Sequence, residues 1–222
     1  MKKALLISEP CRLEQSIESE LGARGIDCTL VEKKSLRDRK TCEEISAGLE
    51  ADIVIYSALT PPGEFPEHIA DMNLEDWRHL KDEAFRLPYD VYGTFVEKMT
   101  LNCKGRFMLI CPLTGVLPAA EGEATGAIGS AGITMMKNAV LELGDRGFTG
   151  CAVAIGSLCD DEIISPIKST ENVRRHEPAD IRIDSAQAAR QIVSLLMDIH
   201  PAMTGGIFRI DSGLSCGYMR EW

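Results

Sequence analysis

The sequence predicts an α/β protein whose single domain is built on a doubly wound parallel sheet of six or seven strands. Three features predict this class: short apolar runs typical of strands buried on both faces, longer segments with apolar residues at helical spacing, and regular alternation of the two. The chain has 222 residues, of which 45% are hydrophobic. Because this length suits one hydrophobic core, we expect one domain over residues 1–222.

The N-terminal segment predicts a strand, a helix and a second strand. Ala4–Ile7 is a short apolar run that ends at turn residues, as in a strand buried on both faces. Leu13, Ile17 and Leu21 then recur every four residues and give a helix one apolar stripe. The second apolar run, Cys28–Val31, completes a β-α-β unit, in which the two strands are expected to be parallel.

The rest of the chain repeats this alternation. Further strands are predicted at Ile53–Tyr56, Arg106–Cys111, Cys151–Ile155 and Gly206–Ile210. Helices are predicted at Cys42–Leu49, Leu74–Met99, Ala131–Leu143 and Ala186–Ile199. Pro88 should kink or split the longest of them. The long irregular stretch Gly156–Ile183 either shapes a ligand crevice or is a mobile loop.

Composition narrows the possible partners and compartments. The net charge of -10 argues against nucleic acid and anionic lipid, because both bind to concentrated basic surfaces. The short basic runs, including Lys33-Lys34, are flanked by acids and indicate solvated loops. The eight cysteines contain no CxxC pair, which is typical of reduced thiols. With no apolar stretch long enough to span a bilayer, these features predict a cytoplasmic protein without membrane or nucleic-acid partners.

Four segments together resemble one known family. Thr204–Gly213 is similar to a closing TGxxxxVDGG strand, and Arg146–Gly156 to an xGIRVNxIxPG stretch. Leu141–Leu143 matches a helix-ending LEL, and Trp77 opens the long helix. In this order and spacing they resemble the short-chain dehydrogenase/reductase family over nearly the whole chain. The resemblance implies a Rossmann-like sheet that binds NAD or NADP.

The phosphate-binding turn departs from the family pattern. The family's TGxxxGxG glycines, which let the backbone approach a pyrophosphate, fall on Ser8, Arg12 and Glu14. Arg12 fills that approach, and the carboxylate of Glu14 repels phosphate. We therefore expect no cofactor, with NAD or NADP as the alternative. Glu32 ends the second strand where the family has a ribose-binding acid, so it is the one candidate cofactor-binding residue.

Two of the family's catalytic positions lie on the long helix and on the strand that follows it. The resemblance places the catalytic Asn at Ala84, seven residues after Trp77. It places the Ser that orients the substrate carbonyl at Pro112. Neither residue has a side-chain hydrogen-bonding group.

The catalytic YxxxK pair is also replaced. In the family, Tyr is the general acid and base, and Lys at the next helical turn lowers its pKa. The corresponding residues are Thr125 and Gly129, and a shift of one residue gives Gly126 and Ser130. Because neither alignment supplies a phenol or an amine, we predict that the protein is not a working dehydrogenase.

The sequence thus favours a non-catalytic member of the family that acts by binding. The family's long helices form subunit interfaces, and here the matching segments are Leu74–Met99 and Ala131–Leu143. Ile133, Met136 and Val140 provide apolar residues at helical spacing. We expect a homo-oligomer, or a hetero-oligomer with an active short-chain dehydrogenase. The alternative is that these residues only cover the sheet.

Two other functions remain open. A divergent NAD(P)-dependent oxidoreductase, or an enzyme with different chemistry in the same crevice, would use Cys111 with Tyr56, Ser57 and Thr125 nearby. The plainer interpretation of Cys111 is a buried thiol that packs in the sheet. A ligand sensor would instead keep the crevice for another small molecule.

Overall fold

The computed structural model describes residues 2–66, 68–100, 105–118, 122–156, 158–161 and 183–216. Its centre is a single sheet of six strands that are all parallel. The strands are β1 Lys3–Ser8, β2 Asp27–Glu32, β3 Ile53–Ser57, β4 Arg106–Pro112, β5 Thr149–Ile155 and β6 Ile207–Ile210. Their order is β2-β1-β3-β4-β5-β6. The predicted doubly wound α/β fold is therefore confirmed.

Helices fill the connections between the strands. They are α1 Arg12–Ala23, α2 Arg39–Ala47, α3 Leu74–Lys81, α4 Leu87–Val91, α5 Glu97–Thr100, α6 Glu123–Leu143 and α7 Ser185–Asp198. Two π-helical turns, Asp82–Arg86 and Tyr92–Val96, join α3, α4 and α5 into one long helical segment. Pro88 lies in the first turn of α4, directly after a π-helical turn, so the wider turn accommodates the residue that was expected to kink the helix.

The sheet has a hydrophobic layer on each face, and alternate residues of each strand enter opposite layers. In β1, Leu5 and Ile7 pack in the layer covered by α2 to α6, whereas Ala4 and Leu6 pack in the layer covered by α1 and α7. This is the physical reason for the continuous apolar runs in the sequence, because a strand covered on both faces has no solvent side. Only one helix, α2, separates β2 from β3, and Lys33–Ser35 before it is a short 3-10 turn.

Helix α6 corrects one expectation from the sequence. Met136 is completely buried, and Ile133 is 7% exposed, because both pack against the sheet. The alternative interpretation is therefore right for these two residues, and Met136 cannot face a partner. Helix α6 also begins eight residues before the predicted start at Ala131.

The order in which strands are added to the sheet changes direction at β1. From β1 the chain passes to β2 on one side, and β3 then lies on the other side. Ligands of open α/β sheets bind in the crevice outside the carboxyl ends of the strands at such a switch point. The crevice above β1 and β3 is therefore the first place to look for a site. Among the described residues, no helix has the length and apolar character needed to cross a bilayer.

Candidate functional site

The N-terminus of α1 lies at this crevice, and its N–H groups bind side chains of the same chain. The N–H of Glu14 donates to the Cys11 sulfur at 3.4 Å, while the Glu14 carboxylate accepts from the N–H of Cys11 at 3.2 Å. Burial raises the pKa of the Cys11 thiol to about 12, so it is protonated at neutral pH. The N–H of Leu13 donates to Oδ2 of Asp161 at 2.8 Å.

Asp161 comes from the segment that follows β5, far from α1 in the sequence. Asp161 is 6% exposed. Its neighbour Asp160 accepts from the backbone N–H and the hydroxyl of Ser185, at 2.8 and 2.9 Å. The two adjacent acids thus reach the first turns of two different helices, α7 through Asp160 and α1 through Asp161. The sequence showed only an acidic pair in an irregular stretch, which gives no signal for either contact.

A lysine crosses the other end of the crevice. The Lys33 side chain is 2% exposed, and its ammonium donates to the Leu59 carbonyl and the Glu83 carboxylate, each at 2.9 Å. Because β1 lies between β2 and β3, a side chain that runs from the end of β2 to the segment after β3 must pass over the end of β1. The expectation that Lys33 lies in a solvated loop is wrong, since its ammonium replaces water with protein acceptors.

Glu32, the candidate ribose-binding acid, ends β2 as expected. Its carboxylate is 2.6 Å from the ammonium of Lys34, and both side chains are well exposed. The hydrogen bonds of Glu32 therefore face solvent at the rim of the crevice. Whether it binds a ligand stays a prediction.

Further acids gather beside Lys33. Oε1 of Glu64 is 2.6 Å from Nε2 of His79, and Glu83 lies within 4.8 Å of this pair. Burial raises the pKa of Glu9, which is close enough to Lys33 for the lysine to oppose that shift. A phosphate entering this side of the crevice would meet several carboxylates and a lysine that is already paired.

The residues at the family's catalytic Asn and Ser positions are apolar, and both are buried. Ala84 is fully buried and packs in the core between the long helical segment and the sheet. Pro112 is the last residue of β4 and lies opposite Ile155 of β5. Whether these positions are non-catalytic stays a prediction.

At the catalytic Tyr position, Thr125 is already hydrogen-bonded. Its hydroxyl donates to the Gly122 carbonyl at 3.1 Å and lies 3.0 Å from the Thr114 hydroxyl. Because the single proton of Thr125 is directed at Gly122, Thr114 is the donor in the hydroxyl pair. Thr125 therefore has no proton to donate elsewhere while both bonds hold.

Gly129, at the catalytic Lys position, lies against another glycine. A Cβ added to Gly129 would be 2.9 Å from the Cα of Gly115, and one added to Gly115 would be 2.8 Å from the backbone of Gly129. Ser130 strengthens the contact by donating to the Gly115 carbonyl at 2.9 Å. Helix α6 thus packs directly on the turn Leu113–Gly115. A lysine does not fit at position 129 unless this backbone moves apart.

The thiol suggested for alternative chemistry is buried in the sheet. Cys111 is completely buried and donates to the Val153 carbonyl at a sulfur–oxygen distance of 3.7 Å. Burial raises its pKa to about 12, which suppresses the nucleophilic thiolate. Tyr56 is also fully buried, and its pKa is raised well above the ordinary value by desolvation. These two groups are therefore poor candidates for nucleophilic or acid–base chemistry.

Comparison with known proteins gives matches among solved structures. No protein-family model and no curated protein sequence matches the chain. An oxidoreductase of the short-chain dehydrogenase/reductase family from Burkholderia thailandensis superimposes with a TM-score of 0.83 and 17% identity, covering 98% of this chain and 94% of that one. The chain has the short-chain dehydrogenase/reductase fold. At this level of identity, the similarity establishes the fold alone.

Two further structures with this fold carry nicotinamide nucleotides. The 3-ketoacyl-(acyl-carrier-protein) reductase from Brucella melitensis, complexed with NADH, has a TM-score of 0.83 and 12% identity, covering 96% of this chain and 98% of that one. ElxO with NADP bound has a TM-score of 0.76 and 17% identity, covering 96% of this chain and 99% of that one.

These complexes overturn the expectation that the chain has no cofactor. That expectation was wrong because it relied on the residues of a single turn, Ser8 to Glu14. The crevice that binds nucleotides in such folds is formed by the strand order of the whole sheet, which this chain shares. The described conformation nevertheless does not fit a pyrophosphate at the N-terminus of α1 while Asp161 is bound to the N–H of Leu13.

Proposed function

We propose that this protein is a member of the short-chain dehydrogenase/reductase family that binds a nicotinamide dinucleotide but does not transfer hydride, and that it acts as a partner subunit of an active relative. The contact between Gly129 and Gly115 is the observation that carries the proposal. It leaves no room for the lysine that would lower the pKa of a catalytic phenol. Thr125, at the phenol position, donates its proton to a backbone carbonyl.

The fold and the switch-point crevice support nucleotide binding, and related folds hold NADH and NADP. Glu32 at the end of β2 stands where a carboxylate binds the ribose hydroxyls of NAD. A 2′-phosphate would be repelled by the same carboxylate, so NADH should bind more tightly than NADPH. The nicotinamide would supply hydride chemistry when bound, but no described side chain at positions 84, 112, 125 or 129 supplies the matching proton transfer.

Titration calorimetry on the full chain tests the nucleotide part of the proposal. Glu32→Ala should weaken NADH binding and narrow the preference over NADPH, because a ribose hydrogen bond to a charged group is lost. Glu50→Ala is the matched control, since Glu50 pairs with Lys3 in an exposed ion pair at the opposite end of β1. Equal effects of the two substitutions, or no binding of either nucleotide to the wild type, would contradict the proposal.

The surface of the long helical segment supports the partner-subunit part. Large apolar side chains there are exposed: Trp77 at 47%, Phe85 at 53% and Tyr89 at 65%. Phe85 and Tyr89 line a groove with Met135 of α6, and the charged side chains of the long helical segment form the rest of its lining: Arg78, Lys81, Asp82 and Arg86. Exposed aromatic residues grouped in this way mark contact surfaces between proteins. These residues take the role that the sequence gave to Met136.

Light scattering and co-purification with an active short-chain dehydrogenase test this surface. Phe85→Asp should split a homo-oligomer or abolish the mixed complex, because it removes an aromatic ring from the contact surface and puts in its place a carboxylate that would have to be desolvated on association. Met203→Asp is the control, as Met203 is 46% exposed and lies before β6, outside the groove. A wild type that stays monomeric alone and with its relative, or equal loss with both variants, would refute the assembly.

A further inference from the structure

We propose that Asp161 sets the nucleotide affinity of the crevice by competing with the phosphate groups for the N-terminus of α1. The inference rests on the proposed nucleotide binding and adds the residue that controls it. Helix N-termini attract anions because their first N–H groups have no partner within the helix and the macrodipole is positive there. In this protein a carboxylate of the chain itself is that anion.

The origin of Asp161 separates its contact from ordinary capping. The capping box of α1 is local, since Cys11 and Glu14 are three residues apart. Asp161 instead lies 148 residues from Leu13 in the sequence, and only the fold brings it to the helix. The contact is short, at 2.8 Å, and buried. A pyrophosphate that used the same N–H would have to displace this carboxylate.

The charges around the contact decide how strongly the two anions compete. The Glu14 carboxylate is already held at the first turn of α1, and Glu9 lies just before it. The buried cation of the crevice, Lys33, is paired with Glu83. Each further negative charge in a partly desolvated site opposes a phosphate strongly, because the effective dielectric constant there is low. Neutralising Asp161 should therefore favour nucleotide more than an equal change outside the crevice.

Asp160 provides a matched control for the alternative that the acidic pair only holds the segment in place. Asp160→Asn makes the same change of charge one residue away, at the first turn of α7. Asp161→Asn keeps an oxygen that can accept from the N–H of Leu13, so it preserves this hydrogen bond while removing the charge. Asp161→Ala, the second variant, removes both the accepting oxygen and the charge. Thermal melting of each protein shows that it is folded before affinities are compared.

Titration calorimetry with NADH and NADPH provides the test. Asp161→Asn and Asp161→Ala should bind roughly 10- to 100-fold more tightly than the wild type, the range expected for a charge-assisted contact, while Asp160→Asn is unchanged. The amide resonance of Leu13 should shift when nucleotide is added to Asp161→Asn. Unchanged affinity in the Asp161 variants would overturn the inference but leave nucleotide binding intact. Equal tightening by Asp160→Asn would also overturn it. Absence of binding in every variant would instead refute the proposed function and this inference together.

Discussion

Gly129→Ala measures how closely α6 packs on the turn Leu113–Gly115. An added Cβ would lie 2.9 Å from the Cα of Gly115 and 3.4 Å from both the Gly115 nitrogen and Cδ of Pro112. Ordinary carbon contacts are about 3.5–4.0 Å, so backbone must move. Such overpacking costs about 1–3 kcal/mol, offset by about 1 kcal/mol from replacing glycine in a helix. Because the nearest atoms are backbone and cannot rotate away, the upper part of this range applies, about 2–3 kcal/mol, and we expect a net loss of about 1–2 kcal/mol.

Thermal unfolding gives the readout. For a domain of this size, that loss lowers Tm by roughly 2–8 °C. Gly22→Ala is the control, because Gly22 also lies in a helix but an added Cβ there meets nothing within 4 Å. It should raise Tm by roughly 1–4 °C through helix propensity alone. If Gly129→Ala stabilises the protein as Gly22→Ala does, the closed contact, and with it the exclusion of a lysine, is refuted.

Other perturbations have equally defined outcomes. Burial raises the pKa of Glu14 in the folded state above its ordinary value of about 4.5. The ionised carboxylate therefore destabilises the folded protein at neutral pH, and this destabilisation disappears as the pH falls and the folded state binds a proton more readily than the unfolded state. Glu14→Gln, which keeps the capping bond, should therefore stabilise the protein at neutral pH and flatten its pH dependence in chemical denaturation; a steeper dependence would contradict this. Iodoacetamide at neutral pH should label exposed Cys159 well before buried Cys111, as peptide mass mapping would show; equal rates would refute the burial. Lys33→Met should destabilise the fold by about 3–5 kcal/mol in denaturant titration, since it leaves Glu83 unpaired, and Lys33→Met with Glu83→Gln should recover part of the loss. A negligible loss in the single variant would show that the pair is not buried.

The sheet could be predicted from the sequence because its signal is local. A strand covered on both faces must be apolar at successive residues, and Ile53–Tyr56 and Cys151–Ile155 show this directly. The parallel order follows from the alternation with helices. Burial within α6 was harder to predict, because a helical stripe has the same spacing whether it covers a sheet or a partner, and Met136 proved to cover the sheet.

The site depends on long-range contacts that no local pattern carries. Replacement of the catalytic positions could be read from residue types, as at Thr125 and Gly129. Two hydrogen bonds could not be predicted in this way: the one from Lys33 to the Leu59 carbonyl and the one from the Leu13 N–H to Asp161. Each joins segments that are distant in the sequence. The cofactor expectation failed for the same reason, because it used one turn where the fold as a whole defines the crevice.

Oxidation of bound NADH would reveal hydride transfer, which the proposed function excludes. The protein is saturated with NADH, mixed with a panel of ketones, aldehydes and β-ketoacyl thioesters, and followed by the absorbance of the reduced ring, with an active short-chain reductase as the positive control. We expect the nucleotide to stay bound and to be oxidised no faster than in buffer, because Thr125 and Gly129 provide no proton transfer. Protein-dependent oxidation of NADH with any of these carbonyl compounds would contradict this expectation, and loss of that oxidation in Thr125→Val would assign the proton transfer to Thr125.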